Sequence, residues 1–332
     1  MKRTIRVAVV GATGYAGAEL VRLFQSHPNA EVTTVTSARS AGKKLSEECP
    51  WIASSLQLET FHPGIISEDF TFLCQEAGFA MEHAPELIKR TRVIDLSADF
   101  RLKDPLLYEQ YYNRPFSAEG TQGVYGLPEL VDRKEIANAK LLANPGCYPT
   151  GTLLGLMPLV RAGLVTGTPV IDAKSGVSGA GRSKKDTEYL FSELSGGFKA
   201  YAVSGHRHTP EIEQLAGVPI RFTPHLIPTP RGLEVTLHVT VSSGENLTKL
   251  YEEFYKNEPF VNVVQAQPSI KQVVGSNRCD ICPSYDEHTG YAVITTVIDN
   301  LVKGAAGQAI QNMNLMAGLT ETTGLPISGL WP

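Results

Sequence analysis

The fold is decided near the N-terminus, by the stretch Ile5-Arg-Val-Ala-Val-Val-Gly-Ala-Thr-Gly-Tyr-Ala-Gly17. Residues 5–10 are largely apolar, as expected of a parallel strand that is buried on both faces. Glycines follow at Gly11, Gly14 and Gly17, and residues 18–26 then carry apolar side chains at helical spacing. Such glycines permit a tight turn, close approach of a pyrophosphate, and packing of the helix on the strand. The stretch therefore predicts a dinucleotide-binding βαβ unit.

The pattern continues outward from this unit. Strand-like segments at 31–36, 70–73, 92–95 and 140–143 alternate with helical stretches, which predicts a Rossmann-type, doubly wound parallel sheet. Beyond a helix at 151–162 the character changes. Segments 168–173, 225–228, 233–241, 270–274 and 291–298 are strand-like with fewer helices between them, which predicts an α+β domain with a mixed sheet.

Length and composition set limits on function. A chain of 332 residues exceeds one ordinary core, so we expect two domains. A net charge of −4 gives no basis for binding nucleic acid or an anionic membrane, and no apolar run predicts a spanning helix. The five cysteines are odd in number and scattered, which favours a reducing cytoplasm over a disulfide framework. The pair Cys279-Asp-Ile-Cys282 lacks further ligands, so we expect no metal site.

The cofactor is predicted from the end of the second strand. NAD-preferring sites usually carry an acidic residue there, whereas this chain has Ser37 and Arg39, which suit the 2′-phosphate of NADP. Arg39 as a solvated loop cation is the alternative. The glycine turn contributes further candidate contacts at Thr13, Tyr15 and Ala16. A second glycine/serine loop at 174–182, with Ser178 and Gly179, is either an anion-binding concavity or a surface loop.

A cysteine marks the candidate reaction centre, in the segment Asn144-Pro-Gly-Cys-Tyr-Pro149. Pro149 suits the first turn of a helix, which would place Cys147 beside free amide groups and the positive end of the helix dipole. Both effects lower the pKa of a thiol and favour nucleophilic attack on a carbonyl. The alternative is a small buried cysteine beside a tight turn.

Two histidines supply a candidate proton shuttle. His206 and His208 stand two residues apart, and in an extended segment both would face the same side. A metal site would need a third ligand, and none is offered at a convincing spacing. A pairing of either histidine with Cys147 for acyl chemistry therefore stays open, as does an ordinary surface role for both.

Taken together, these motifs resemble the N-acetyl-gamma-glutamyl-phosphate reductase family. The resemblance extends over nearly the whole chain, and Val124-Tyr-Gly-Leu-Pro-Glu-Leu130 is one of its specific segments. The other matching segments are residues 11–20, 95–101, 144–150, 175–182, 206–214, 222–226, 300–308 and 311–314.

The resemblance implies a function and a mechanism. Cys147 would displace phosphate from N-acetyl-L-glutamyl 5-phosphate, and NADPH would reduce the thioester to the 5-semialdehyde in arginine biosynthesis. His206 or His208 would supply the acid/base. Ser97 and Asn312 would lie near the cofactor, and Asn144, Arg101 and Arg207 would hold the substrate.

The resemblance also implies domain bounds and an assembly. An NADP-binding domain at 1–148 would be completed by a C-terminal helix within 304–332, and 149–303 would form the catalytic and dimerisation domain. A homodimer or homotetramer is expected. The chain departs from the family at Cys74-Gln-Glu-Ala-Gly78. The family usually has a small or Pro/His-containing turn there, whereas this segment includes the acidic Glu76, so we carry over no cofactor contacts to residues 74–78.

Several alternatives share part of this pattern. A related amino-adipyl-phosphate reductase of lysine biosynthesis would have the same fold and chemistry. A non-catalytic NADP-sensing protein would have kept the fold without needing Cys147 and both histidines. Aspartate-semialdehyde dehydrogenase lacks the segments around His206 and Gly126, and a cysteine hydrolase would leave the glycine turn unexplained.

Overall fold

A computed structural model describes residues 3–118, 120–184 and 186–331. The chain divides into two compact units. The first runs up to Pro145 and takes in Ala305–Leu325, and the second comprises Gly146–Gly304 and the residues from Pro326 onward. The assignment of functions to domains at 1–148 and 149–303 stays a prediction, because compactness does not establish what each unit does.

The first unit is built on a parallel sheet of seven strands in the order β3-β2-β1-β4-β5-β7-β6. The strands are β1 Ile5–Val10, β2 Ala30–Thr36, β3 Leu58–Glu59, β4 Phe70–Leu73, β5 Arg92–Asp95, β6 Val124–Tyr125 and β7 Leu141–Ala143. The helices are α1 Tyr15–Phe24, α2 Leu45–Glu48, α3 Phe79–Leu87, α4 Pro105–Tyr112, α5 Arg133–Asn138 and the chain's last helix, Gly307–Met316. A 3₁₀ turn covers Pro63–Ile65.

The strand order of this sheet locates its binding edge. The chain leaves β1 toward β2 on one side, and β4 pairs with β1 on the other. Ligands of doubly wound sheets bind at such a reversal, outside the carboxyl ends of the strands. The turn Gly11–Gly17 and the loop Cys74–Gly78 follow β1 and β4 directly, so both lie at this point.

The second unit carries a mixed sheet in the order β12-β13-β14-β11-β8-β10-β9. Its strands are β8 Val170–Gly176, β9 Lys199–Ala200, β10 Arg221–Ile227, β11 Leu233–Thr240, β12 Val261–Val263, β13 Cys279–Asp286 and β14 Tyr291–Ile298. Its helices are α6 Cys147–Arg161, α7 Phe191–Leu194, α8 Thr209–Ala216, α9 Leu247–Tyr255 and α10 Ile270–Val273; the last helix of the chain is then α11. Two 3₁₀ turns, Val177–Ala180 and Thr187–Tyr189, and a π-helical turn, Val302–Ala306, complete the elements.

Helix α6 is held close to this sheet by small residues. A Cβ atom added to Gly155 would lie 2.7 Å from the Leu237 side chain, and one added to Gly151 would lie 3.1 Å from that of Leu233. Thr296 also donates a hydrogen bond to the Gly151 carbonyl at 2.9 Å. The start of α6, which carries Cys147, is therefore fixed by packing along the helix behind it.

The predicted fold class is confirmed, with local errors. Residues 270–274 were predicted as a strand but contain α10, because Ser269 and Gln272 form a capping box that favours a helix. Strand β13 was missed because Pro283 and two aspartates interrupt its apolar pattern. Within the described ranges, none of the helices combines the length and apolar character needed to cross a bilayer.

Candidate active site

The cysteine turn ends with Cys147 as the first residue of α6. Its side chain is half-buried and forms no disulfide, and Gly146 precedes it in an extended conformation that caps the helix. Amide groups of a first helical turn have no carbonyl partner inside the helix. The Gly146 amide donates instead to the carboxylate of Glu211 at 2.9 Å. The turn thus combines a nucleophile with the amide-rich end of a helix.

Glu211 is a functional candidate that the sequence analysis missed. It is 1% exposed and belongs to the first turn of α8. A carboxylate after Thr209 and Pro210 is typical of a helix start, where it complements the dipole. The sequence therefore contains no sign that the Glu211 carboxylate accepts a hydrogen bond from Gly146, 65 residues earlier in the chain. A buried carboxylate touching the backbone of Gly146 links α8 to the placement of the thiol.

The two histidines have different environments. His206 is buried, and its Nδ1 accepts the backbone N–H of His208 at 3.2 Å, which assigns the ring proton to Nε2. Burial, and then the charge of Arg207, lowers the pKa of His206 to about 4. His208 is half-buried and stands immediately before α8. The sequence left the two equivalent, whereas the structure makes His206 a neutral, internally bonded ring.

Tyr148 brings both imidazoles into one aromatic cluster. Its ring centroid lies 5.7 Å from that of His206 and 5.9 Å from that of His208. Its hydroxyl donates to the His225 carbonyl at 3.0 Å and accepts from the Tyr201 hydroxyl at 3.4 Å. Burial raises the pKa of Tyr201 to about 12 and that of Tyr148 still further, so both phenols stay neutral. Nothing in the sequence marked Tyr201 for this position.

The three glycines of the turn in the first unit differ in what an added Cβ atom would contact. Gly11 has a φ of +90°, and an added Cβ would lie 2.8 Å from the Cys74 carbonyl oxygen. An added Cβ at Gly17 would lie 2.3 Å from the Gly11 carbonyl oxygen. At Gly14 the same atom would make only an ordinary contact of 3.5 Å. The protein's own packing does not require a glycine at that position, which fits close approach of a dinucleotide pyrophosphate.

The remaining candidate cofactor residues lie in the glycine turn, at the start of α1 and after β2. The Thr13 and Ser37 hydroxyl oxygens are 3.2 Å apart, so the structure brings these two together. Tyr15 is exposed and Ala16 half-buried at the start of α1. Arg39 is exposed in the turn after β2, and among the described residues no ion pair or hydrogen bond is found for it. A free cation at this point fits a 2′-phosphate.

Helix α11 carries unpartnered amide groups. Asn312 is fully buried and donates to the Gly126 carbonyl at 2.8 Å and to Asn144 Oδ1 at 3.2 Å. Its own Oδ1 has no partner among the described residues, and neither do the two amide atoms of Gln308, one turn earlier. The structure thus brings Asn144 and Asn312 together. Gln308 was missed, because its sequence setting looks like any polar helix position.

Ser97 and Arg101 both donate hydrogen bonds within the first unit. Ser97 donates to Asp95 at 2.9 Å, and Arg101 donates from Nε to the Asn144 carbonyl at 2.7 Å and from Nη2 to that of Leu96 at 2.8 Å. Burial, and then the neighbouring Asp99, raises the pKa of Asp95 to about 7. Arg101 is therefore bonded to the turns that follow β5 and β7, and its predicted role in holding substrate stays a prediction.

The other predicted residues occupy loops. Ser178 lies in a 3₁₀ turn and accepts a hydrogen bond from Asn300 at 2.9 Å, with Gly179 beside it, and Arg207 is exposed. In the departing loop at 74–78, Glu76 is exposed and the Gly78 amide donates to Asp99. No group of three or more His, Cys, Asp or Glu side chains in the described ranges could hold a metal ion.

Family models match both units. Residues 6–139 match a model described as the semialdehyde dehydrogenase NAD binding domain, and residues 147–300 match one described as the semialdehyde dehydrogenase dimerisation domain. The chain is 47% identical to an N-acetyl-gamma-glutamyl-phosphate reductase of Geobacter metallireducens, over 99% of this chain and 100% of that protein. It is 49% identical to the protein of the same name from Geotalea daltonii, with the same coverage.

Solved structures share the fold at much lower identity. Aspartate semialdehyde dehydrogenase II of Vibrio cholerae, complexed with ASA, superposes with a TM-score of 0.73 at 18% identity, covering 96% of this chain and 99% of that chain. Aspartate semialdehyde dehydrogenase with NADP from Candida albicans gives a TM-score of 0.72 at 13% identity, covering 95% and 98%. These likenesses support the two-unit architecture.

Proposed function

Because the chain belongs to the N-acetyl-gamma-glutamyl-phosphate reductase family, we propose that it reduces N-acetyl-L-glutamyl 5-phosphate with NADPH. The products are N-acetyl-L-glutamate 5-semialdehyde and phosphate, as required in arginine biosynthesis. Family membership confirms the resemblance inferred from the sequence and makes the chain an oxidoreductase with an NAD(P)-binding domain. The observation that carries the proposal is the half-buried Cys147 side chain, which forms no disulfide and lies at the start of α6.

The chemistry of Cys147 follows from this position. The thiolate attacks the acyl carbon, the carbonyl oxygen gains negative charge, and amide groups of the first helical turn stabilise that charge. The bond to phosphate then breaks and leaves a thioester on Cys147. When bound, NADPH would supply a hydride to the carbonyl carbon of this thioester, which leaves a hemithioacetal on Cys147. Collapse of the resulting hemithioacetal releases the semialdehyde and returns the thiol.

His208 is the proposed acid/base of the pair. The Nδ1 atom of His206 already accepts a backbone hydrogen bond, and its lowered pKa keeps that ring neutral near pH 7. A proton shuttle needs a pKa near the working pH and some access to the reacting atoms. His208 is the more exposed of the two imidazoles and shares the Tyr148 cluster. His206 then acts by fixing the backbone of His208, and Arg207 is left to hold an anionic group of the substrate.

The residues proposed to hold NADP lie around the glycine turn. Gly14 leaves room for the pyrophosphate, the Thr13–Ser37 pair and Arg39 offer hydroxyls and a cation for the ribose phosphate, and Asn312 presents a buried carbonyl oxygen without a partner. Burying an amide oxygen without a hydrogen bond costs free energy, and the carboxamide N–H of the nicotinamide could donate to Asn312 Oδ1. These observations support the assignment of the cofactor.

The reaction run in reverse tests this proposal. The protein is mixed with N-acetyl-glutamate semialdehyde, NADP and phosphate, and the absorbance of the reduced nicotinamide is followed. We expect a signal that requires phosphate and disappears in Cys147→Ala, whereas Cys74→Ala keeps it. Cys74 is the matched control because it is the other half-buried cysteine, and burial raises the pKa of its thiol.

The outcomes separate the candidates. No phosphate-dependent signal with the acetyl-glutamate substrate would refute the proposal, and a signal only with an amino-adipate analogue would transfer the chain to the lysine-pathway reaction. NADP binding without turnover of either substrate would indicate a sensor. Activity retained in Cys147→Ala would remove the nucleophile from the mechanism.

Assembly and location extend the proposal. We propose a homodimer or homotetramer formed through the second unit, whose residues match a dimerisation domain. Strands β8, β10 and β11 alternate buried and partly exposed residues, so one face of the sheet presents polar side chains such as Lys174 and Glu234. None of the five cysteines, all of which the structure describes, forms a disulfide, which supports a reducing compartment, the cytoplasm.

A further inference from the structure

Gly304 lies directly against the nucleophile. A Cβ atom added to Gly304 would be 2.7 Å from the Cys147 Cβ and 3.3 Å from its Cα. The backbone of Gly304 is not in the left-handed region, so no torsional reason demands a glycine there. The contact alone excludes a side chain. The added Cβ would clash with the Cα and Cβ atoms of Cys147, which cannot rotate away as the end of a long side chain could. Relieving the clash therefore requires a shift of the backbone.

Gly304 is in turn fixed by Asp299. Its amide donates to the Asp299 backbone carbonyl at 2.9 Å. The fully buried Asp299 carboxylate accepts from the Leu301 amide at 2.8 Å and from the Gly275 amide at 2.6 Å. Its Oδ2 also pairs with Arg231 Nη2 at 2.9 Å. A buried carboxylate with this many donors holds the start of the turn Val302–Ala306 in one conformation.

A π-helical turn at this place has a geometric consequence. Such turns are rare and are frequently found at functional sites. Here the widened turn presents the bare Cα of Gly304 to Cys147. On the other side of the nucleophile, Glu211 holds the Gly146 amide. Cys147 is therefore located by two independent contacts, one on the residue before it and one on its own Cβ.

We propose that Gly304, held by Asp299 and Arg231, is a positioning residue that sets the place of the Cys147 sulfur for attack on the acyl carbon. The proposal rests on the proposed function of Cys147 as the nucleophile. Reacting groups must meet within a narrow range of distance and angle, and a displacement of about 1 Å lowers the rate on the order of 100-fold. A Cβ only 2.7 Å from that of Cys147 is too close to be accommodated without a shift, so we expect a methyl group on Gly304 to displace Cys147.

The test compares Gly304→Ala with Gly197→Ala. Gly197 is the matched control because nothing lies within 4 Å of its added Cβ and its φ is also outside the left-handed region. We expect G304A to lower kcat about 100-fold, with the KM for both substrates and the Kd for NADPH within about twofold of wild type. G197A should match wild type. A loss of folded protein alone would lower the active fraction and would not alter the pH profile of Cys147 alkylation.

Alkylation with iodoacetamide supplies that independent readout. We expect the pH profile of Cys147 alkylation to shift in G304A and not in G197A. If G304A does not accumulate as folded protein, Arg231→Lys becomes the deciding variant. Arg231 is partly exposed and the substitution preserves its positive charge, so we expect this variant to fold. We expect R231K to lower kcat about tenfold with unchanged KM, since lysine cannot reproduce the planar hydrogen bonds of the guanidinium.

The results distinguish this proposal from the proposed function. A wild-type protein without turnover refutes the function, and the alkylation profiles of G304A and G197A still decide whether Gly304 positions the thiol. A G304A protein with kcat within threefold of wild type and an unchanged alkylation profile overturns the positioning role, as does R231K at wild-type kcat when it is the deciding variant.

Discussion

Two strand-to-helix turns of this chain resemble each other locally and differ in what they do with the start of the helix. The turn Gly11–Gly17 joins β1 to α1, and the turn at Asn144–Gly146 joins β7 to α6. Both helices have a glycine at the N-cap, no side-chain hydrogen bond from that residue, and no acidic side chain in their first turn. Each therefore presents amide groups and a positive dipole end to whatever approaches.

The difference lies in what occupies those amide groups. At α1, a Cβ on Gly14 would make only an ordinary contact with the protein, and no carboxylate side chain in the described part of the chain accepts from the first amides, so a phosphate could approach them. At α6, a carboxylate from another helix, Glu211, takes the Gly146 amide and a thiol follows. In the proposed function, one helix start receives an anion of the cofactor, and the other is partly filled and carries the group proposed to react. The same local geometry serves binding or chemistry according to the residues placed on it.

The largest expected effect comes from emptying the filled turn. Glu211→Ala removes the acceptor of the buried Gly146 amide, which costs roughly 1–3 kcal/mol of stability and lets the thiol shift. We expect kcat to fall on the order of 100-fold or more. Glu213→Ala is the matched control, because Glu213 on the same helix also accepts a backbone amide, that of Ile220 at 3.0 Å. Equal loss of kcat in both variants would contradict a specific role for Glu211.

Filling the open turn should affect binding next most strongly. Gly14→Ala adds a Cβ that the protein tolerates, so stability should stay near wild type while the KM for NADPH rises about 30-fold, on the order of 2 kcal/mol for a lost charge-assisted hydrogen bond. Gly17→Ala instead meets the Gly11 carbonyl oxygen at 2.3 Å and should lower the unfolding midpoint. Unfolding curves and NADPH titrations of the two variants would show the reverse pattern if Gly14 served only packing.

Cofactor choice at the open turn gives a smaller effect. Arg39 is exposed, so its contact with a 2′-phosphate is worth roughly 1 kcal/mol. We expect Arg39→Ala to raise the KM for NADPH about fivefold and to leave that for NADH unchanged. Lys89→Ala, which removes another exposed cation of the same unit, should change neither. Equal increases for both cofactors in Arg39→Ala would argue against a phosphate contact.

The two turns also show what a sequence can and cannot foretell. The glycine turn was predictable because the residues that form it are adjacent along the chain. The apolar strand before it indicated a parallel sheet that is buried on both faces. The cysteine was predictable as a helix-start residue. Its partners were not, because Glu211 and Gly304 act through packing between residues about 65 and 157 positions away, and neither residue type is unusual where it stands.

The same limit explains the misjudged elements. Ile270, Val273 and Val274 are β-branched and suggest a strand, whereas the capping box at Ser269 favours the helix that the structure shows. Arg101 was chosen as an anion-binding residue by its chemistry, and that role stays a prediction; in the structure its guanidinium donates to the backbone carbonyls of Leu96 and Asn144. Residue type restricts what a side chain can bind, and the fold determines which of those partners it meets.

The smallest expected effect concerns stability against pH, where the two units carry opposite signs. In the second unit the pKa of His206 is lowered to about 4, below its unfolded value near 6.5, so its contribution is present above pH 6.5 and lost as pH falls toward 4. In the first unit the pKa of Asp95 is raised to about 7, above its unfolded value near 3.8. Its contribution is present below pH 3.8 and lost as pH rises toward 7.

The two contributions to the free energy of unfolding change in opposite directions between about pH 4 and 7. A pKa difference of 1 between the folded and unfolded chain is worth roughly 1.4 kcal/mol, so the two pH dependences largely cancel in the wild-type protein. Removing one exposes the other. His206→Gln should become less stable as pH rises from 4 to 7, and Asp95→Asn should become less stable as pH falls over the same range. Urea midpoints at several pH values measure both slopes, with exposed His288→Gln as the control. Slopes of the same sign in the two variants would show that at least one of these side chains titrates as it does in the unfolded chain.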